Sequence, residues 1–121
     1  VPSGYMFAVI NSMVKHNLVD SEYNTRRQDC ESAAAKLAGI FPNISTLRDV
    51  SSSQLEEARE KLTRMEYLRA KHVVGECERV MQAVEFLNNG DVAGFGQLLT
   101  ESQYSSRDNF ENSTEELDYL I

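Results

Sequence analysis

The stretch RMEYLRAKHVVGECERVMQAVEFLN, from Arg64 to Asn88, decides how the remaining sequence is read. Ala70, Val73, Cys77, Val80, Val84 and Leu87 recur at alternating spacings of three and four, which gives a helix one continuous apolar stripe. Asn88-Asn89-Gly90 supplies the stop, because asparagine and glycine tolerate the left-handed backbone that ends helices. The spacing therefore predicts the longest helix over about residues 64–88. Working outward, Asp91 caps a further helix through Val92, Phe95, Leu98 and Leu99. Ser113-Thr114-Glu115-Glu116 opens a last, short one. Upstream, Ser53 with Glu56 three residues later reads as a capping box ahead of Leu55, Ala58 and Leu62. Pro42 and the polar residues after it form a loop. Before it, Tyr23, Arg26, Cys30, Ala33 and Leu37 mark the core-facing stripe of a helix over about 22–38, with Gly39 as its cap.

The N-terminal run Tyr5-Met6-Phe7-Ala8-Val9-Ile10 reads differently. It is aromatic and β-branched, lacks polar alternation and is preceded by Pro2 and Gly4, the pattern of a strand buried on both faces. No second strand follows, and a lone strand cannot satisfy its own N–H and C=O groups. Its partners are thus expected from another molecule, or from a larger protein of which these residues are a piece; a first residue that is valine fits the second case. The expectation is a single unit over 1–121, mainly α, a helical bundle with one N-terminal strand.

Composition narrows the function. With 121 residues and a formal net charge of -7, the chain lacks the basic stripe of a nucleic-acid binder. No apolar run approaches the roughly 20 residues that cross a bilayer. Cys30 and Cys77 fall at apolar helical positions and read as structural thiols in a reducing compartment, so a cytoplasmic protein is expected. No Walker loop, HExxH motif or nucleophile elbow occurs. Asp20, Glu22, Asp29 and Glu31 suit the positive end of a helix dipole better than an acid–base pair. His72, without a second ligand type nearby, reads as structural rather than metal-binding. The segment from Asn11 to Arg27 leaves the strand end, passes Lys15 and His16 and enters a helix at Tyr23. Residue pattern alone leaves two readings of it open: a surface loop with an anchoring tyrosine, or a site at a strand end.

Asn11 to Glu31, NSMVKHNLVDSEYNTRRQDCE, resembles galactokinases, in which a strand ends in Asn-Ser, a basic residue follows and Ser-Glu-Tyr-Asn-x-Arg-Arg opens a helix. LRDV at Leu47 to Val50, AKHVVGECERV at Ala70 to Val80 and ESQYSSRDNFENSTEELD at Glu101 to Asp118 agree in order and spacing. Galactokinases belong to the GHMP kinases, named for galactokinase, homoserine kinase, mevalonate kinase and phosphomevalonate kinase. The resemblance implies an α+β parent enzyme of two lobes, a transferase of galactose metabolism. Such an enzyme moves the γ-phosphoryl group of ATP, with Mg2+, onto the 1-hydroxyl of α-D-galactose.

Carried over by the same resemblance, Tyr23 hydrogen-bonds a galactose hydroxyl. Lys15 lies close to the family's catalytic aspartate, keeping it ionised and offsetting charge on the transferred phosphoryl group. Arg26 and Arg27 fasten the helix start. Met13 departs from the family, where asparagine is common. No residue here is assigned to ATP or to a metal. The family's Gly-Glu-His signature, phosphate loop, catalytic aspartate and late glycine-rich segment have no counterpart in these 121 residues, which read as a central to C-terminal fragment. Alone, the fragment is expected to be inactive and to self-associate through Tyr5 to Ile10. Two alternatives stay open: a non-catalytic helical interaction module, and a related sugar kinase acting on N-acetylgalactosamine.

Overall fold

A computed structural model describes residues 1–15 and 20–121, with Asp20 and Ser21 described by backbone alone. Among the described residues five α-helices follow one another: α1 (Asp20–Ile40), α2 (Ser52–Glu57), α3 (Arg64–Asn88), α4 (Val92–Ser105) and α5 (Glu115–Tyr119). Short 3₁₀ turns at Leu47–Asp49 and Arg59–Lys61 flank α2, and a π-helical turn at Ser106–Phe110 continues α4. α3 is the spine, against which α1, α2, α4, the 47–49 turn and the π-turn all pack.

The mainly helical expectation holds, and α3 has the bounds that its periodicity predicts. Its stop is as read: Asn89 N–H returns to the Glu85 carbonyl at 3.1 Å, and Gly90 takes φ +71°. Asp91 caps α4, its carboxylate accepting from the Gly94 amide at 2.8 Å, and Thr114 caps α5.

The core lies between α1 and the first half of α3. Ala33, Leu37, Ala70 and Val74 are buried there, and Tyr67, Leu55 and Ala58 close one side. The apolar stripe of α3 is only half covered. Val73 and Cys77 are partly buried, whereas Val80, Val84 and Leu87 are exposed.

Four sequence expectations need correction. The expected strand at Tyr5 to Ile10 is absent: among the described residues there is no strand, and this segment is exposed, with Val9 at 97%. The reason is the one that made a lone strand suspect, since nothing among the described residues offers it a ladder. The residues before it form a turn, with the Tyr5 amide donating to the Pro2 carbonyl around Gly4 at φ +90°. Gly39 does not cap α1. The helix runs on to Ile40, Phe41 N–H reaches the Leu37 carbonyl at 2.9 Å, and Pro42 stops it. Ser51 rather than Ser53 caps α2, exchanging bonds with Gln54. Ser52 instead gives its amide and hydroxyl to Glu78 on α3 at 3.2 and 2.8 Å. Finally, the loop after Pro42 is no polar spacer: Ile44, Leu47 and Val50 are buried and form one wall of the core.

One capping box does more than start a helix. Thr63 caps α3 and shares reciprocal bonds with Glu66, and the Glu66 carboxylate also accepts from Ser32 Oγ at 2.7 Å and Lys36 Nζ at 2.8 Å on α1. Glu66 is buried. Burial pushes its acidity the other way, but the bonds from Lys36, Ser32 and the Thr63 amide prevail and hold its pKa at about 2, against an ordinary 4.5.

Two outcomes follow for stability. Leu37→Ala should cost about 2–5 kcal/mol, whereas Val84→Ala on the uncovered half of α3 should stay within about 0.5 kcal/mol; urea unfolding compares them directly. Glu66, more acidic folded than unfolded, contributes stability that is complete above its unfolded pKa and is lost as pH falls from about 4.5 toward 2. The wild-type urea midpoint should therefore fall more steeply across that window than the midpoint of Glu66→Gln. Equal slopes would contradict the assignment.

Candidate functional site

The sequence-derived site lies where the N-terminal segment enters α1. Lys15 and Tyr23 are both exposed there, and His16 falls outside the described residues. Tyr23, at 69% exposure, is no core anchor. The apolar stripe of α1 becomes buried only at Ala33 and Leu37, and the helix's first turns extend past the core with Tyr23 on them. Lys15 and Tyr23 do not line either of the two clefts that border α1.

Met13, two residues before Lys15, takes φ +62°, and its amide donates to Asn11 Oδ1 at 2.8 Å. Left-handed backbone suits asparagine far better than an unbranched apolar residue. This gives a physical reason why asparagine would be favoured at that position. Asn11 and Ser12 face α5, lining an open cleft of about 370 Å³ with Glu115, Glu116, Tyr119 and Leu120.

The acids of the helix start act as ion-pair partners. Glu22 lies 3.8 Å from Arg26, Glu31 accepts from Arg27 at 2.8 Å, and Asp29 lies 3.8 Å from Arg69. The side chain of Asp20 falls outside the described residues. The two arginines of the motif separate in role. Arg27 and its partner are exposed on the surface of α1. Arg26, mostly buried, crosses to the end of the π-turn, where Nε donates to the Phe110 carbonyl at 2.8 Å and Nη2 to the Glu111 carbonyl at 2.6 Å.

A third arginine, missed in the sequence reading, completes the arrangement. The Arg69 side chain is 5% exposed. Its Nη1 donates to the Asn109 carbonyl at 2.7 Å and its Nη2 to Glu111 Oε2 at 2.8 Å. Its Nε faces Asp29 at 3.8 Å, too far for a hydrogen bond. The bond from Arg69 holds the Glu111 carboxyl below its ordinary range. The signal that could have revealed Arg69 was its place next to Ala70 on a helix facing the core, since a charge at such a position requires partners.

The π-turn supplies those partners. Its last carbonyls form the negative end of the α4 helix, a favourable place for cations, and Glu111 leaves it at φ +53°. The Phe110 ring lies 4.7 Å from the His72 ring and under the Arg69 guanidinium. His72 Nδ1 pairs with Ser105 Oγ at 3.0 Å, and burial pushes its pKa down, as a structural histidine should behave. Glu22, Thr25, Arg26 and Arg69 line an open cleft of about 230 Å³. Among the described residues no group of three or more His, Cys, Asp or Glu could hold a metal ion, and no helix is long and apolar enough to cross a membrane. Cys30 and Cys77 are free thiols, both partly buried.

No family model matches the chain. Curated proteins do. The chain is 49% identical to a galactokinase of Glaesserella parasuis serovar 5 and 48% identical to one of Mannheimia succiniciproducens, each over 124 aligned residues. It is 42% identical to a galactokinase of Pasteurella multocida. Each comparison covers 100% of this chain and 31% of the relative. The chain thus spans about a third of the length of the curated relatives that it matches. The resemblance to galactokinases read from its motifs is therefore borne out along the whole length of the chain, which aligns with about a third of each of these galactokinases.

Proposed function

We propose that the chain is part of a cytoplasmic, two-lobed α+β kinase that transfers the γ-phosphoryl group of ATP to the 1-hydroxyl of α-D-galactose. The observation that carries this reading is the 49% identity to a galactokinase over all of these residues. Phosphoryl transfer depends on positioning and on charge stabilisation more than on covalent help from the protein. Tyr23 and Lys15 have chemistry suited to the two tasks.

Tyr23 presents a rigid ring and a hydroxyl at the exposed start of a fixed helix, where it can reach a sugar edge. Lys15 supplies a cation close to the Asn11-Ser12 motif. There it would favour the ionised form of a neighbouring aspartate and offset charge that develops on the phosphoryl oxygens. Magnesium would supply further neutralisation of phosphate charge, but the described residues offer it no ligand cluster, and no step is assigned to it. The same residues include no phosphate loop and no candidate base, so a polypeptide of these 121 residues alone should phosphorylate nothing. The exposed apolar segment from Tyr5 to Ile10 would favour its self-association.

In the full-length enzyme, Tyr23→Phe should weaken galactose binding by about 0.5–1.5 kcal/mol, one neutral hydrogen bond, and so raise KM for galactose. Lys15→Ala should lower kcat instead, because its interaction strengthens as charge develops. Steady-state kinetics with galactose and with N-acetylgalactosamine test both residues and the substrate together. An unchanged galactose KM in the first variant, or a normal kcat in the second, would remove that residue from the site. Preference for N-acetylgalactosamine would replace the substrate. Turnover by the 121-residue polypeptide at an intact enzyme's pace would contradict its proposed inactivity.

A further inference from the structure

We infer that Arg26 and Arg69, gripping the π-turn at Asn109–Glu111, are positioning residues that set the direction in which Tyr23 points. This inference rests on the proposed sugar contact of Tyr23 and adds the device that aims it.

Tyr23 lies one helical turn before Arg26, and residues three apart share a helix face. Because the first turns of α1 extend past the core, burial does not hold them against fraying or bending. Tyr23 is exposed, and along the same stripe α1 meets the core only from Cys30, about two turns on. One turn from Tyr23, the helix is tied to the rest of the molecule by the pair of bonds from Arg26 to the carbonyls of Phe110 and Glu111, at 2.8 and 2.6 Å. A guanidinium that donates to two successive carbonyls is held in direction as well as distance, because its donors form a rigid planar fork.

The acceptor end is itself immobilised. Arg69, anchored on α3 and nearly enclosed, binds the Asn109 carbonyl and the Glu111 carboxylate. Phe110 is wedged between His72 and Arg69, and Glu111 is held at a left-handed backbone angle that only such surroundings maintain. The chain of restraint runs from α3 through Arg69 to the π-turn, then through Arg26 to the helix turn that carries Tyr23. Its geometry accounts for the π-turn as well, since three successive carbonyls, those of Asn109, Phe110 and Glu111, all serve the two arginines.

The test is a double-mutant cycle in the full-length enzyme, reading KM for galactose, KM for ATP and kcat. Arg26→Lys keeps the charge but loses the planar fork; it should raise KM for galactose about threefold or more while leaving KM for ATP unchanged. Arg27→Gln, which removes the exposed pair with Glu31 and an electrostatic contact with Tyr23 but no bond to the π-turn, should raise KM for galactose less than Arg26→Lys does. In a Tyr23→Phe background the effect of Arg26→Lys on KM for galactose should largely vanish, because aiming a hydroxyl that is absent gains nothing. Arg69→Lys repeats the test from the α3 side should Arg26→Lys fail to fold. Full additivity of Tyr23→Phe and Arg26→Lys would overturn the positioning role while leaving Tyr23 in the site. No effect of Tyr23→Phe by itself would instead overturn the sugar contact on which the inference stands.

Discussion

The structure depends on a buried guanidinium. Arg69 stands on α3 at the level of the core, and a charge there is tolerated only when its donors find acceptors. Its partners come from two directions, Asp29 on α1 and the closing turn of α4 at Asn109 and Glu111. These contacts make the end of α4 and the start of α1 neighbours. Arg26 then makes the connection direct. The long central helix thus determines where segments more than 80 residues apart in sequence meet.

One turn earlier on α3, Glu66 does the complementary work with opposite charge. It is likewise buried, it closes the capping box with Thr63, and it receives Ser32 and Lys36 from the middle of α1. Two polar attachments of opposite sign, a turn apart, fix α1 along α3 at two levels. Between and beyond them the apolar packing of Ala33, Leu37, Ala70 and Val74 supplies the cohesion. Apolar contact alone would tolerate sliding and rotation of one helix on another, and the charged attachments leave one register.

Much of the helical frame was legible in the sequence, because its signals are local. The 64–88 helix, its asparagine–glycine stop, the Asp91 cap and the Thr114 start all rest on neighbours within four residues. What failed depended on distant partners. The strand at Tyr5 to Ile10 had the right composition, but nothing among the described residues pairs with it. The loop at Ile44, Leu47 and Val50 looked polar because polar residues separate its apolar ones, which become core only where α1 and α3 converge. Tyr23 fell on the periodic stripe, yet the stripe outruns the surface that would cover it, and the same holds for Val80, Val84 and Leu87 at the far end of α3. Motif reading singled out Tyr23 and Lys15 as candidates but could not separate Arg26 from Arg27, identical in type and adjacent. The structure separates them, since one crosses to the π-turn and the other stays on its own helix.

A rigid arginine clamp stands one turn from an exposed tyrosine, whose proposed partner is a sugar. A crystal structure of the full-length protein with galactose bound tests that junction most directly. The expected result places the Tyr23 hydroxyl within about 3 Å of a sugar hydroxyl, with Arg26 still bound to the carbonyls of Phe110 and Glu111. A structure with galactose bound elsewhere, or with Tyr23 turned from the sugar while the clamp is intact, would contradict it.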